Sequence, residues 1–355
     1  MTHHPAFFLQ INDMSIKVAI IIPHHNGQQM LADCLCSLAK TEYDNYRIYL
    51  VDNASRDGSP QWAKQNYPQI ELISSQQNLG YAGGCNLGIR STTERYIVLL
   101  NNDTEVKPDW LSKLSSELDQ DDTIAAAQPK ILWLKERSLF DYSGGAGGMM
   151  DIYGFPYCLG RLFDCKEKDL GQYDHNQKDI FWASGSASIY RRSVLDKVGL
   201  LDQDFFMHME EIDLAWRMHL AGHRVIAVPG SVIYHLSGGS LPAGNFRKMY
   251  LNHRNSLLML WKNYSLTSLL WVWPLRLALE VMAFLKALTS GNLEWARAIV
   301  QAGLWMAENP RLVWKKHREV QRLRAASDSR IRAKMYQGSI AVKYFLQGKR
   351  TANDL

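Results

Sequence analysis

Strand and helix alternate four times in the first 120 residues, and this order constrains the fold more than any other feature of the chain. The run Ile16-Lys-Val-Ala-Ile-Ile-Ile-Pro23 reads as a buried parallel strand, and a helical pattern follows over residues 29–39. Tyr46-Arg-Ile-Tyr-Leu-Val51 is the next strand, with a helix through Trp62 behind it, and residues 71–74 and 95–100 supply two more strands. Such alternation predicts an α/β fold with a mostly parallel, Rossmann-like sheet and right-handed crossovers. Ligands of such sheets lie beyond the carboxyl ends of the strands. Polar clusters at residues 24–26, 52–57, 78–84 and 101–103 all fall at those ends and outline a nucleotide-sized site.

Each cluster has its own chemistry. Asp52 closes a strand at the ligand edge, where a carboxylate can accept hydrogen bonds from a pyrimidine imide or a ribose; Ser55 and Asp57 suit the cap and first turn of the next helix. The stretch Asn78-Leu-Gly-Tyr-Ala-Gly-Gly-Cys-Asn-Leu-Gly88 lacks the Gly-x-Gly-x-x-Gly dinucleotide spacing, so an NAD oxidoreductase is the weaker use of this sheet. Small residues at a helix start let backbone amides approach a phosphate. Tight helix–sheet packing explains these glycines equally well. In Asn101-Asn-Asp103, Asp103 can ligate a divalent cation bridging two phosphates, although the tripeptide is also a common turn. His235, at a later strand end, becomes a metal ligand only if the sheet brings it to Asp103.

A second concentration of chemistry lies at residues 204–217, where Glu210, Glu211 and Asp213 fall within four positions. On a helix beginning near Glu210, Met209, Ile212, Trp216 and Leu220 form a buried stripe, and Asp213 precedes Arg217 by one turn. Glu210 also falls near Arg217 on the helical wheel. A capped amphipathic helix, with acids at its positive end, accounts for Asp213 and Glu210. Glu211 is left over as a candidate general base, and which of the two glutamates faces a substrate stays open.

The rest of the chain is plainer. A helix is expected over residues 110–118, irregular strands and a mobile loop over 141–180, a strand over 181–190, a short helix over 193–198, and strands over 224–228 and 231–234. Beyond Phe246 the pattern turns helical, dividing the chain into a body, residues 1–245, and a C-terminal region, residues 246–355. Residues 266–288 are apolar but broken by Pro274, Arg276, Glu280 and Lys286, so an interfacial helix or an ordinary packed appendage fits better than a membrane span. Residues 311–334 hold nine Lys or Arg against Glu319 and Asp328; of the net +5, this tail carries +7 and the remainder −2. Five cysteines without a Cys-x-x-Cys pair suit reduced thiols, and the first residues lack the pattern of a signal peptide.

Six motifs, in this order, resemble the family 2 glycosyltransferases, which have the nucleotide-sugar-binding GT-A fold. They are Val18-Ala-Ile-Ile-Ile-Pro23; Val51-Asp-Asn-Ala-Ser55 with Asp57-Gly-Ser59; residues 78–88; Leu99-Leu-Asn-Asn-Asp-Thr-Glu-Val106; residues 205–217; and Tyr234-His235 with Gly238-Gly-Ser240. Together they cover about residues 16–260, and the enzymes that transfer rhamnose in bacterial polysaccharide assembly look most similar. The resemblance implies that Asp52 meets the nucleobase and that Pro23, Asn26, Asn78, Gly80, Gly83, Asn86, Asn101 and Asn102 line the nucleotide-sugar site. It puts Asn101-Asn-Asp103 at the Asp-x-Asp metal motif with Asn in place of the first acid, makes Asp103 and His235 ligands of Mg2+ or Mn2+, and makes Glu211 the base with Glu210 beside it. The implied activity is an inverting transfer of a hexose, rhamnose from dTDP-rhamnose first, to a hydroxyl of a cell-surface glycan or lipid-linked precursor. A UDP-galactofuranose or UDP-glucose transferase and a non-catalytic sugar-binding assembly subunit are the alternatives. The implied setting is cytoplasmic and peripheral, on anionic lipid at the inner face of the cytoplasmic membrane, without a nucleic-acid partner.

Overall fold

The computed structural model describes residues 16–174, 178–237 and 245–355. The expectations for the N-terminal residues and for the Gly238-Gly-Ser240 motif therefore lie outside the described residues, as do residues 175–177 of the expected mobile loop.

The first half builds as the alternation requires: β1 (Val18–His24), α1 (Gln28–Leu38), β2 (Tyr46–Asn53), α2 (Ser59–Asn66), β3 (Glu71–Ser75), α3 (Gly80–Arg90) and β4 (Tyr96–Leu100). The strands lie side by side and parallel in the order β3-β2-β1-β4. Both faces are covered, so β1 is apolar throughout. Val18, Ile20 and Ile22 face Leu31 and Leu35 of α1, whereas Ala19 and Ile21 face Ala82, Cys85 and Ile89 of α3. A Cβ on Gly88 would lie 2.4 Å from Cγ2 of Ile21, so α3 can lie this close to the sheet only with glycine there.

The sheet continues with β5 (Thr104–Val106), α4 (Trp110–Gln120), β6 (Ile124–Trp133) and β7 (Glu136–Phe140). Short strands β8 (Gly148–Met150), β9 (Pro156–Cys158), β10 (Arg161–Leu162) and β11 (Cys165–Lys166) form a separate antiparallel sheet, the irregular strands expected there. After β12 (Lys178–Asp179), β13 (Ala187–Arg191) inserts antiparallel between β4 and β6, making the main sheet mixed. The strand expected over 181–190 is thus shortened, because Ser184 and Gly185 bond to side chains: the Ser184 amide donates to Gln128, and the Gly185 carbonyl accepts from the Tyr81 hydroxyl.

Helix α5 (Arg192–Val198) and α6 (Glu210–Leu220) precede β14 (Arg224–His235). The two strands expected here are one, with a register shift between Val228 and Val232 around Pro229-Gly230, where proline cannot donate to a ladder.

The C-terminal helices are α7 (Phe246–Asn263), α8 (Leu266–Thr289), α9 (Leu293–Glu308), α10 (Pro310–Gln321), α11 (Asp328–Arg332) and α12 (Ile340–Gln347). Leu258, Leu260, Tyr264 and Met335 from this region share one core with Phe181 and Trp216. By length and composition alone α8 is apolar enough to cross a membrane, its most apolar 18-residue window having a mean hydropathy of 1.5. Its Arg276 and Glu280 turn inward and pair at 2.6 Å, while Leu270, Trp271, Leu275, Val281 and Leu285 are exposed on the other side. The basic segment is also less free than a tail. Lys316 binds Asp202 and Asp204, Arg324 binds Asp328, and Arg332 donates to Ser268.

Candidate active site

Strand β4 ends in a turn that delivers Asp103. The Thr104 hydroxyl donates to the Asn101 carbonyl at 2.7 Å, and β5 then pairs antiparallel with the end of β14. That register sets His235 opposite Thr104, and the Leu236 amide donates to the Asp103 carbonyl at 3.0 Å. Nε2 of His235 therefore lies 3.2 Å from Oδ1 of Asp103. This oxygen is buried and has no hydrogen-bond donor aligned on it. Nδ1 of His235 is 2.9 Å from Asp141, whose other oxygen accepts from the Ser237 hydroxyl at 2.5 Å. Burial depresses the His235 pKa, but Asp103 and Asp141 outweigh it and push it up to about 10.

A hard oxygen facing an imidazole nitrogen, with the other nitrogen fixed by a carboxylate, is a donor set that suits Mg2+ or Mn2+. Among the described residues no group of three or more His, Cys, Asp or Glu side chains is arranged to hold a metal ion. Two protein ligands with phosphate oxygens completing the shell is how Mg2+ sits beside nucleotide phosphates. Asn101, standing where a second acid would be, offers its amide 3.5 Å from His235.

The loops after β1, β2 and β3 are tied together. The Asn26 amide donates to the Ser55 hydroxyl, the Asn26 side chain accepts from the Arg56 amide, and Asp57 accepts from the Gly27 amide. Asp57 also accepts from Ser59, although the residue that caps α2 is Gly58 and not the expected Ser55 or Asp57, and these bonds hold its pKa down at about 2 against the opposing effect of burial. Asp52 spends one oxygen on the Ser55 amide at 2.8 Å. Asn102 ties β4 to β1, its amide 2.7 Å from Nδ1 of His24, while Nε2 of that histidine meets Ser59.

Asn53 is a hub that sequence reasoning passed over. Its side chain accepts from the Leu79 amide and donates to the Gly80 carbonyl and the Asn78 side chain, forming the start of α3. Gly80 has φ +71°, and a Cβ there would lie 2.5 Å from the Phe206 carbonyl oxygen. Pro23 lies against Gly84. Gly83 packs on Leu79. Asn86 is turned away from the strand ends: it is 1% exposed and its amide exchanges two hydrogen bonds with the Leu201 main chain, a structural part in place of the expected donor contact.

The glutamates open α6. Asp213 pairs with Arg217 at 3.0 Å as expected and also meets Lys262 and Asn263 of α7. Glu210 does not pair with Arg217, which corrects the wheel projection, because the remaining guanidinium nitrogens are spent on the carbonyls of Val198, Gly199 and Leu200. Glu210 is buried, Glu211 is half-buried, and each keeps a buried Oε2 without a hydrogen-bond partner. Burial and then the neighbouring carboxylate push the Glu210 pKa well up, and burial raises that of Glu211 to about 7. Both acids act electrostatically on Tyr81 and Cys85 of α3 and on Tyr190 of β13, so they stand over the Gly-rich helix. A carboxylate poised near neutrality with an unbound oxygen can take a proton from a hydroxyl.

Comparisons with known proteins bear on this geometry. The profile of Glycosyl transferase family 2 matches residues 19–199, just over half of the chain. The N-acetylglucosaminyl-diphospho-decaprenol L-rhamnosyltransferase of Mycobacterium tuberculosis is 26% identical over 248 residues, 65% of this chain and 80% of that protein. The low-salt glycan biosynthesis hexosyltransferase Agl10 of Haloferax volcanii is 28% identical over 47% of this chain and 52% of its own. Among solved structures, GalNAc-T7 with UDP, GalNAc and Mn2+ superposes with a TM-score of 0.53 at 15% identity over 70% of this chain, which spans about half (48%) of that structure. At that identity the likeness concerns the fold alone.

Proposed function

Because the chain belongs to glycosyl transferase family 2, we propose that it moves a hexose, rhamnose from dTDP-rhamnose in the first place, onto a hydroxyl of a cell-surface glycan or lipid-linked precursor, with inversion at the anomeric carbon. The observation that carries this reading is the Glu210–Glu211 pair at the start of α6, each acid with a buried oxygen that no donor meets, beside Tyr81 and Cys85 of the Gly-rich helix. The choice of rhamnose is supported by the mycobacterial relative, an L-rhamnosyltransferase matched over 80% of its length.

In the proposed reaction the loops after β1, β2 and β3 hold the nucleoside diphosphate at the sheet edge, with Asp52 toward the nucleobase. Asp103 and His235 would hold a divalent cation, which supplies positive charge against the leaving diphosphate. Glu211 accepts the acceptor hydroxyl's proton as that oxygen bonds to the anomeric carbon and the bond to the diphosphate oxygen breaks. Attack opposite the leaving group inverts the configuration. Burial and the neighbouring carboxylate oppose a second charge on Glu210 beside the base.

Peripheral contact with the inner face of the membrane belongs to the same proposal, supported by the exposed apolar side of α8.

The test is protection from thermal unfolding by dTDP-rhamnose, UDP-galactofuranose and UDP-glucose with Mn2+ present, followed by turnover of the protecting donor. Strongest protection and turnover with dTDP-rhamnose is the expected result. Stronger protection by a UDP-sugar overturns the donor, and donor binding without turnover overturns the enzymatic reading.

A further inference from the structure

Residues 202–209, which lead into Glu210, pass through three left-handed positions without glycine: Phe206 at φ 63°, His208 at 70° and Met209 at 74°. Each costs on the order of 1 kcal/mol, and such a path persists only where its surroundings over-determine it. Here the surroundings can be named atom by atom. The Asp204 carbonyl accepts from Nη2 of Arg254 at 2.6 Å. The Phe205 carbonyl accepts from Nδ2 of Asn255 at 3.0 Å and from Arg254 at 3.2 Å. The Phe206 carbonyl accepts from the Ala82 amide at the start of α3, at 3.2 Å. The Met207 and His208 carbonyls accept from Nδ2 of Asn255 at 2.9 and 2.8 Å, and the Met209 carbonyl from the Asp213 amide inside α6.

One side-chain amide thus reaches three carbonyls of the strap, those of Phe205, Met207 and His208. Asn255 is fully buried, and its orientation is set from behind, because its Oδ1 accepts from Nε and Nη2 of Arg254 at 2.8 and 2.6 Å. The Arg254 guanidinium is itself held against the rings of Tyr250 and Trp305. At the strap's beginning, Asp202 is gripped by Lys262 of α7 and Lys316 of α10.

We propose that Arg254 and Asn255 are positioning residues for the transfer reaction: they fix the strap that aims the Glu210–Glu211 pair, so the active site is completed by α7, beyond the stretch matched to the family. The inference rests on Glu211 being the base. Neither residue touches the reacting atoms; both act through the strap backbone.

The experiment compares Asn255→Ala, Arg254→Lys and Glu211→Gln in the full chain, with donor turnover, donor affinity and the pH profile of the rate as readouts. An ångström of misplacement at a reacting group costs about a hundredfold in rate. Asn255→Ala is expected to lower kcat by about that factor, leave the donor KM within about twofold, and displace the rising limb of the pH profile. Arg254→Lys, which keeps the charge but frees the Asn255 carboxamide, is expected to fall between it and the native chain. Should Asn255→Ala not fold, as read by circular dichroism, the decision passes to Arg254→Lys. Native kcat and an unmoved pH profile in the folded variants, with Glu211→Gln inactive, overturn the positioning role alone. An active Glu211→Gln overturns the base assignment, whatever the other two variants do.

Discussion

At the scale of single residues, the two glutamates separate by what a neutral isostere does to each. Glu211→Gln removes the proposed base and is expected to lower kcat by roughly 100- to 10,000-fold with donor affinity unchanged. Glu210→Gln puts a neutral amide where burial and the neighbouring carboxylate disfavour charge, and is expected to stay within about tenfold of the native rate; an inactive Glu210→Gln would show that Glu210 must ionise. Native activity should rise with pH through about 7, where burial has moved Glu211. The sign for stability is opposite. A carboxyl whose pKa is higher folded than unfolded binds more protons in the folded state, so its contribution falls as pH rises from its unfolded value near 4.5 to about 7. Glu211→Gln should lose that part of the decline, and its Tm should exceed the native one at pH 8 by more than at pH 4. At the other end of the site, Asp141→Asn leaves His235 in place but removes the charge behind it. Activating-metal affinity should weaken about 10- to 100-fold, measured by titrating Mn2+ against turnover. Asp141 was not legible in the sequence, because its partner is 94 residues away and its own neighbours, Asp-Tyr-Ser-Gly-Gly, read as a turn. Asp103 and His235 were legible as neighbours, since one follows β4 by a turn and the other closes β14, and these two strand ends lie on one edge of the sheet.

At the scale of elements, helix α3 tests the packing side of the Gly-rich stretch. Gly88→Ala drives a methyl into Ile21 and Val51, and overpacking of this kind costs typically 1–3 kcal/mol (about that range). The Tm should drop while nucleotide binding by the folded fraction stays native; lost binding at an unchanged Tm would reverse the assignment. For α8 the informative change is Arg276→Met. Arg276 is 1% exposed and holds Glu280 at 2.6 Å, so removing it leaves that buried carboxylate with His253 alone, at a cost of about 3 kcal/mol, read from denaturant midpoints. The order and type of the first elements were readable because a run apolar on both faces means a covered strand. The extent of β13 was not, because Ser184 and Gly185 are bonded to the side chains of Gln128 and Tyr81, which local pattern does not contain.

At the scale of the whole molecule, body and C-terminal helices are not separable. Trp216 of α6 meets Tyr264 edge-on at 4.9 Å, and Asp213 in the same helix is satisfied by Lys262 and Asn263. A chain ending at residue 245 should therefore be less stable and inactive, although it keeps every residue matched to the family, 19–199. Activity assays on that truncation decide the matter. The outer side of α8 gives the converse expectation: exchanging Leu270, Val281 and Leu285 for Ser should leave turnover of a soluble acceptor intact and reduce co-sedimentation with vesicles containing anionic lipid. The pairing of β5 with β14 has a consequence for how a chain like this can change. Side chains alternate across a strand with a period of two, so one residue inserted between Val232 and Tyr234 would turn the His235 imidazole to the opposite face without altering any residue's identity. Lineages of such proteins can accept a new letter at many positions near this site, but a new length at almost none, and gaps in their alignments should fall outside residues 103–106 and 231–235.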